Sequence, residues 1–440
     1  MSAIARVLLK RGFQVSGSDL HRNTVTAALQ ELGAVIFQGH AASNIAKADV
    51  LVVTSAVAED HIEIVTAQKQ GIPVYKRQDM IAALMRDKVG IAIAGTHGKT
   101  TTTSMIAHIL IEAGHAPSYI VGGVMSNTGT NADVGGGPAF VIEADEYDNM
   151  FLGLQPQLAV LTSVEFDHPD FFKTPHDLRE AFAQFVALLP QDGLLIVYAD
   201  DAAVLKFAAV HPHTMTYGID NLQANWRAEH IHYAGVVTSF DVLHQDIKLG
   251  TVQLGIPGQH NILNALAALI VAQHEGVSFT DAAKALATFK GSGRRFDVRA
   301  DVNGIAIIDD YAHHPTAIRA TIDAARKRYP DREIWVIWQP HTYSRTQQLW
   351  HDFLLAFVAA HHLIVTEIYA ARERYNPAVS ARDFVAALHH VDAQHAPTFA
   401  DAVAMLVQHV QAPAAIIIMS AGDAPQIGVD YLNVLRKPAS

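Results

Sequence analysis

The sequence predicts an α/β protein of three domains: a Rossmann-like first domain truncated at its N-terminus, a central P-loop domain on a parallel sheet, and a Rossmann-like third domain. Three observations lead there. Short apolar runs alternate with segments of helical periodicity along nearly the whole chain, the pattern of parallel sheets covered by helices. A buried-strand run, a Gly-rich turn and a helical segment follow one another at residues 89–110. Polar residues gather where the apolar runs stop, at the carboxyl edge where open α/β sheets bind ligands.

At 440 residues the chain has material for about two to four domains. Half of it is hydrophobic and 17% is charged, a globular balance and not a disordered one. A net charge of −11 with sparse basic clusters argues against a nucleic-acid surface. The chain has no cysteine, which excludes disulfides, thiolate metal sites and Cys nucleophiles. No apolar stretch reaches membrane-spanning length without polar interruption, and no signal peptide is read. A cytoplasmic enzyme with no membrane or nucleic-acid partner is therefore expected. Among the 25 histidines, the pairs His361-His362 and His389-His390 read as surface residues, since no second ligand set lies near them.

Residues 1–88 read as a small α/β unit: a helix over 2–10, a strand over 13–18, a helix over 25–32 closed by Gly33, then strands at 35–37 and 50–54. Asp19 and Ser55 end two of these strands and are the candidate ligand contacts. Such a unit should begin with a strand and a Gly-rich turn. Met1 instead falls at the first helix, which points to truncation at this end or a late start codon.

Residues 89–293 form the nucleotide domain. The run 89–94 is long enough for one buried strand, and 101–110 reads as an amphipathic helix. Between them stands Gly95-Thr96-His97-Gly98-Lys99-Thr100, followed by Thr101. Strand, glycine turn and helix hold phosphate through backbone N–H groups and the helix N-terminus. Lys99 is placed to reach the β/γ-phosphates and the Thr100 hydroxyl to meet Mg²⁺. The motif is the short form GTHGKT, with Ile93 where the longer form has its first glycine. Further strands are read at 140–143 and 158–163, and a helix over 177–189 with Phe182, Phe185, Val186 and Leu189 on one face. Asp201 opens the next helical turn, residues 214–256 read as an antiparallel patch, and 258–276 as a helix ending at Gly276.

The third domain, 294–440, follows a boundary at 291–296, where two glycines suit a hinge. Strands at 305–310, 334–338, 363–366 and 416–420 alternate with helices at 316–328 and 351–360, a parallel doubly wound order.

Chemistry concentrates at the strand ends. Glu143, Asp145 and Glu146 follow an apolar strand, where Mg²⁺ finds the hard oxygens it prefers; Glu143, nearest the strand, is the chosen ligand, against a solvated turn. His168, within DHPD, is a ligand through its neutral imidazole or a structural residue. Asn261 and Asn264 open a helix and either face an adenine edge or cap it, with capping favoured on chemistry alone. Arg294 and Arg295 neutralise phosphate or form an interdomain ion pair, and both readings stand. Asp309 to Pro315 (DDYAHHP) reads as a substrate-contacting loop, since its His pair has no third metal ligand placed. In QPHTYSRT, His341 and Arg345 are set to grip a carboxylate, which suits a bidentate guanidinium.

In this order AGTHGKTTTTSM, EADEYD, EFDHPD, GQHNILNALAA, GSGRRFDV, DDYAHHPTAI and QPHTYSRT resemble the Mur ligases, and in particular their alanine-adding branch, over essentially the whole chain. The resemblance implies a UDP-substrate domain (1–88), a central ATPase domain (89–293) and a C-terminal amino-acid domain (294–440). It implies an ATP-dependent, amide-forming ligase of peptidoglycan precursor synthesis with ATP and Mg²⁺ as cofactors. Its substrates would be UDP-N-acetylmuramate and L-alanine, and its state a monomer or weak homodimer. By resemblance, Lys99 and Thr100 hold the triphosphate and first Mg²⁺ with Glu143, and His168 supports a second metal. Asn261 and Asn264 face the adenine, Arg295 and Asp309 serve the nucleotide at the hinge, and Tyr311, His313, His341 and Arg345 line the amino-acid site. The implied route is an acyl phosphate that the alanine amine attacks, with domain closure excluding water.

Two departures accompany it. The family's N-terminal GIGGAG-type loop is absent, which leaves a nucleotide-binding protein without turnover as an alternative. Residues 178–189 lack the lysine that other Mur ligases carbamylate, which fits the alanine-adding branch and the related recycling ligase that attaches a preformed peptide. The latter lacks the QPHTYSRT pattern and ranks second.

Overall fold

The computed structural model describes residues 1–54, 57–390 and 392–436. They form two compact units. The first comprises Met1–Val164, Arg179–Tyr217 and Ala267–Ala282; the second comprises Glu165–Leu178, Gly218–Leu266 and Ala283–Ser440.

The first unit opens with the helix Ser2–Lys10 and two small parallel pairs: Ser16–Asp19 with Val35–Gln38, and Leu51–Val53 with Val74–Lys76. The strand expected over 13–18 is shorter and starts later, because Arg11 and Gly12 close the preceding helix and Phe13 turns back onto its last turn. Ser55 lies outside the described residues.

The main sheet of this unit runs in the order Thr214–Gly218, Leu194–Tyr198, Leu158–Leu161, Val89–Ala94, Ala139–Glu143, Ser118–Met125, Thr130–Asp133. All of these pairs are parallel except the last, which is antiparallel. Val89–Ala94 sits in the middle, with Ile91 to Ala94 fully buried. A strand covered on both faces reads as a continuous apolar run, as this one does. The following helix is Lys99–Glu112, and every residue from Thr100 to Leu110 is buried. It was expected to be amphipathic. Its hydroxyls instead bond back to its own carbonyls, Thr103 to Lys99 and Ser104 to Thr100, so polar residues enter the core without an exposed face. The aromatic face read on 177–189 is present: Phe151 stacks on Phe185 at 4.9 Å and meets Phe182 edge-on at 5.4 Å.

The second unit contains the antiparallel strands Trp226–Ala234, Val237–His244 and Ile247–Leu254. The antiparallel patch therefore begins later than expected, since Thr214–Gly218 pairs parallel with Leu194–Tyr198. The unit's other sheet has the order Asp297–Val302, Ile305–Asp310, Ala414–Met419, Glu333–Trp338, His362–Thr366, Ala393–Ala396. Only its first pair is antiparallel. One face buries Trp338 against Phe353, Phe357 and Phe384, and the other buries Trp335 with Leu406 and Tyr431. Of the helix expected over 351–360 only the start forms, within Trp350–Leu354, and residues 355–359 follow as turns. Aromatic spacing of three and four serves packing there without a continuous helix. His362 of the supposed surface pairs is half-buried and stacked on Trp335 at 3.8 Å.

Candidate active site

The Gly-rich turn is built by its neighbours. Gly95 has φ +137°, and a Cβ there would lie 2.1 Å from Thr162 Oγ1, so only glycine fits. Thr96 N–H donates to the Ser163 carbonyl at 2.9 Å, and His97 N–H to Ser163 Oγ at 2.8 Å. Thr162 Oγ1 donates to the His97 carbonyl at 2.5 Å. The N–H groups of Thr96 and His97 thus anchor the loop. The loop leads directly into the N-terminus of Lys99–Glu112, the end of a helix that favours an anion.

Lys99 Nζ sits between both oxygens of Glu146, at 2.7 and 2.9 Å, and the Gly95 carbonyl at 2.5 Å. Burial pulls its pKa down, but Glu146, Asp145 and Glu143 together hold it above its ordinary value. Thr100 Oγ1 donates to Glu143 Oε1 at 3.1 Å, and Gly122 N–H to Glu143 Oε2 at 2.6 Å. The structure thus brings Lys99, Thr100 and Glu143 together. It adds Glu146, which sequence reasoning passed over for Glu143, and Gly122, Thr162 and Ser163, which it missed. Only the third acid of EADEYD could have signalled Glu146. Thr101 is buried in the helix's first turn. Asp19 ends its strand with its carboxylate accepting the His21 N–H.

The remaining candidates lie in the second unit. Asn261 Nδ2 donates to the Pro257 carbonyl at 2.6 Å and Asn264 Nδ2 to Asn261 Oδ1 at 3.1 Å. Both lie inside the helix Gln259–His274, so the capping reading is corrected: they are linked buried amides, one tying down the entry turn. Arg294 and Arg295 both lie over the Tyr311 ring, at 5.1 and 5.0 Å. Asp309 Oδ1 and Arg294 Nε face each other at 3.6 Å, both buried and neither hydrogen-bonded, a pair suited to a polar ligand. Burial raises the Asp309 pKa against the pull of Arg294 and Arg299.

Asp310 has a structural task. Its oxygens accept the N–H groups of Phe296 at 2.8 Å and Ala312 at 2.7 Å, tying residues 291–296 to the DDYAHHP loop. Burial pushes its pKa up to about 6. His314 caps the helix Pro315–Arg328 by accepting the Thr316 N–H, which gives the second histidine of the pair a structural role.

Tyr311, His313, His341 and Arg345 do converge. Arg345 is 3% exposed and donates from Nε to Asp167 at 2.7 Å and from Nη1 to His341 Nδ1 at 2.8 Å. His313 lies 5.2 Å from Tyr311 and 5.7 Å from His341, ring centre to ring centre. Asp167, missed by sequence reasoning despite its place in DHPD, is the buried counter-ion. Burial alone would raise its pKa, but Arg345, with His168, His313 and His314, holds it well below the carboxylate range. His168 follows it with φ +56° and its Nε2 3.9 Å from Asp167. Burial, then the charge of Arg345, keeps His341 at about 4 and His313 well below its ordinary value. Both imidazoles are neutral near pH 7.

A phosphate-type loop with a lysine, a hydroxyl and a strand-end acid defines a nucleotide-binding α/β protein of the P-loop kind. The chain belongs to the Mur ligase family. The family models described as Mur ligase family, catalytic domain, Mur ligase middle domain, and Mur ligase, glutamate ligase domain match residues 1–89, 93–272 and 294–422. A UDP-N-acetylmuramate--L-alanine ligase from Syntrophus aciditrophicus is 40% identical over 441 residues, which is 99% of this chain and 92% of that one. The crystal structure of a UDP-N-acetylmuramate-alanine ligase from Thermotoga maritima matches with TM-score 0.84 at 28% identity, over 99% of this chain and 96% of that one. A murein peptide ligase from Psychrobacter arcticus matches with TM-score 0.75 at 28% identity, over 100% and 97%.

Proposed function

We infer that this chain is an ATP-dependent ligase that joins L-alanine to the lactyl carboxylate of UDP-N-acetylmuramate in peptidoglycan precursor synthesis. The observation that carries this is identity of 40% with a ligase of that name along 99% of the chain. The three-domain division at 88 and 293 goes with this reading, as does a monomer or weak homodimer in the cytoplasm. Among the described residues no helix is long and apolar enough to cross a membrane.

The oxygens of Thr100 and Glu143 fit a hard divalent cation. Magnesium, when bound, supplies charge neutralisation at the transferred phosphoryl group; Thr100 and Glu143 would hold it, with His168 for a second ion. Lys99 gives up Glu146 for the β/γ-phosphates and stabilises charge on the phosphoryl group as the substrate carboxylate attacks it. Asn261, Asn264, Arg295 and Asp309 hold the nucleotide, and Asp19 and Ser55 contact the UDP-linked substrate. In the second half-reaction the amine attacks the acyl carbon, the C–N bond forms, and the C–O bond to phosphate breaks. Tyr311, His313, His341 and Arg345 hold L-alanine, with Arg345 turned toward its carboxylate.

The test is ADP release by the purified chain. It should require UDP-N-acetylmuramate and L-alanine together, and stoichiometric amide should accompany it. ATP binding with no such release would make the chain a nucleotide-binding protein without turnover.

A further inference from the structure

The two histidines of the amino-acid cluster carry opposite hydrogen-bonding functions, and their neighbours dictate which is which. A guanidinium has only donors. Arg345 Nη1 lies 2.8 Å from His341 Nδ1, so His341 Nδ1 accepts and its proton sits on Nε2. A carbonyl has only acceptors. His313 Nδ1 lies 2.7 Å from the Tyr311 carbonyl, so His313 Nδ1 donates and the lone pair is on Nε2. Of this adjacent pair, His341 therefore presents a donor at Nε2 and His313 an acceptor.

L-alanine reaches the enzyme as an ammonium, which has no lone pair and cannot attack a carbonyl carbon. Resting on the reading of this cluster as the amino-acid site, we propose that His313 Nε2 is the base that takes the proton from the incoming ammonium. The N–H bond breaks, and the proton moves to His313 Nε2. The freed pair forms the C–N bond to the acyl carbon, and the C–O bond to phosphate then breaks. Of the two protons left on nitrogen, one departs with the phosphate as hydrogen phosphate and one stays on the amide; His313 returns its proton to water. His341 Nε2–H, which has no lone pair to offer in this tautomer, serves as a donor to substrate oxygen.

The charged and titratable groups around His313 set when the base works. Arg345 and the neighbouring His341 disfavour its protonation, Asp167 favours it, and Tyr311 holds Nδ1. An alanine carboxylate placed on Arg345 offsets the guanidinium charge, so substrate binding itself makes His313 a better proton acceptor.

The experiment separates proton removal from acyl phosphate formation by changing the nucleophile, and from alanine binding by reading kcat at saturating L-alanine. Hydroxylamine is already neutral near pH 7 and attacks acyl phosphates without a base, giving a hydroxamate. His313→Asn keeps an amide N–H for the Tyr311 carbonyl, and His313→Gln serves as the second variant; thermal unfolding checks that both fold. Each should lose turnover with L-alanine by about 10²–10⁴-fold yet still make hydroxamate from UDP-N-acetylmuramate and ATP. Equal loss with both nucleophiles would make His313 a positioning residue only, and near-normal alanine turnover would remove it from proton transfer. A wild-type chain that consumes no ATP with L-alanine would overturn the underlying functional reading as well.

Discussion

At the scale of single residues the account rests on Lys99 and Arg345. Lys99 is a preorganised cation held by Glu146, and it is not among the residues of the buried core. Lys99→Ala should therefore fold and lose at least about 10²-fold in ADP formation, the usual cost of removing one charge stabiliser; near-normal turnover would take this loop out of catalysis. Arg345 holds Asp167 with one edge and His341 with another, a division of labour that a single ammonium cannot reproduce. In Arg345→Lys the KM for alanine should rise about 10–100-fold, as expected on losing a charged hydrogen bond, and an unchanged KM would remove Arg345 from the site. Lys99, Thr100, Glu143, His341 and Arg345 were legible because chemistry-bearing residue types stand at the ends of apolar runs. Asp167 and Glu146 were not singled out, since pairing across 178 and 47 residues respectively leaves no trace in local spacing.

At the scale of elements, strands and their turns position the acids. Gly122 lies in the strand Ser118–Met125, and a Cβ there would come within 2.5 Å of Glu143 Oε2. Gly122→Ala should push Glu143 aside and lower kcat by about 10²-fold, the scale of an ångström-sized misplacement; unchanged kcat and Mg²⁺ dependence would contradict Glu143 as ligand. Asp310 ties two loops, and its pKa of about 6 lies above the value of about 3.9 expected unfolded. Between those values the folded chain binds a proton that the unfolded chain lacks, so this group's contribution to stability falls as pH rises from about 4 to about 6. The urea midpoint of wild type relative to Asp310→Asn should fall across that window, and a constant difference would contradict the burial argument. The strands at 89–94 and 305–310 were read to the residue because each carries a buried apolar run, ended in the second by Asp309 and Asp310. The helix read at 351–360 was extended too far, because aromatic spacing reports packing and not helix continuity. The helix at 99–112 was misread as amphipathic because Thr103 and Ser104 satisfy their hydroxyls on its own carbonyls and so enter the core.

At the scale of the whole molecule, the parallel order of both large sheets was legible from the alternation of strands and helices, and the role of the chain from the succession of its motifs. The contact-based division into two units was not, since it joins Glu165–Leu178 to residues more than a hundred positions later. The central claim is that the amino-acid cluster takes a free amino acid. Its most direct measurement is the mass of the amide formed from ATP and UDP-N-acetylmuramate when L-alanine and L-alanyl-γ-D-glutamyl-meso-diaminopimelate are offered separately. The account predicts UDP-N-acetylmuramoyl-L-alanine from the first and no product from the second; product from the peptide alone would contradict it and identify a peptide-recycling ligase.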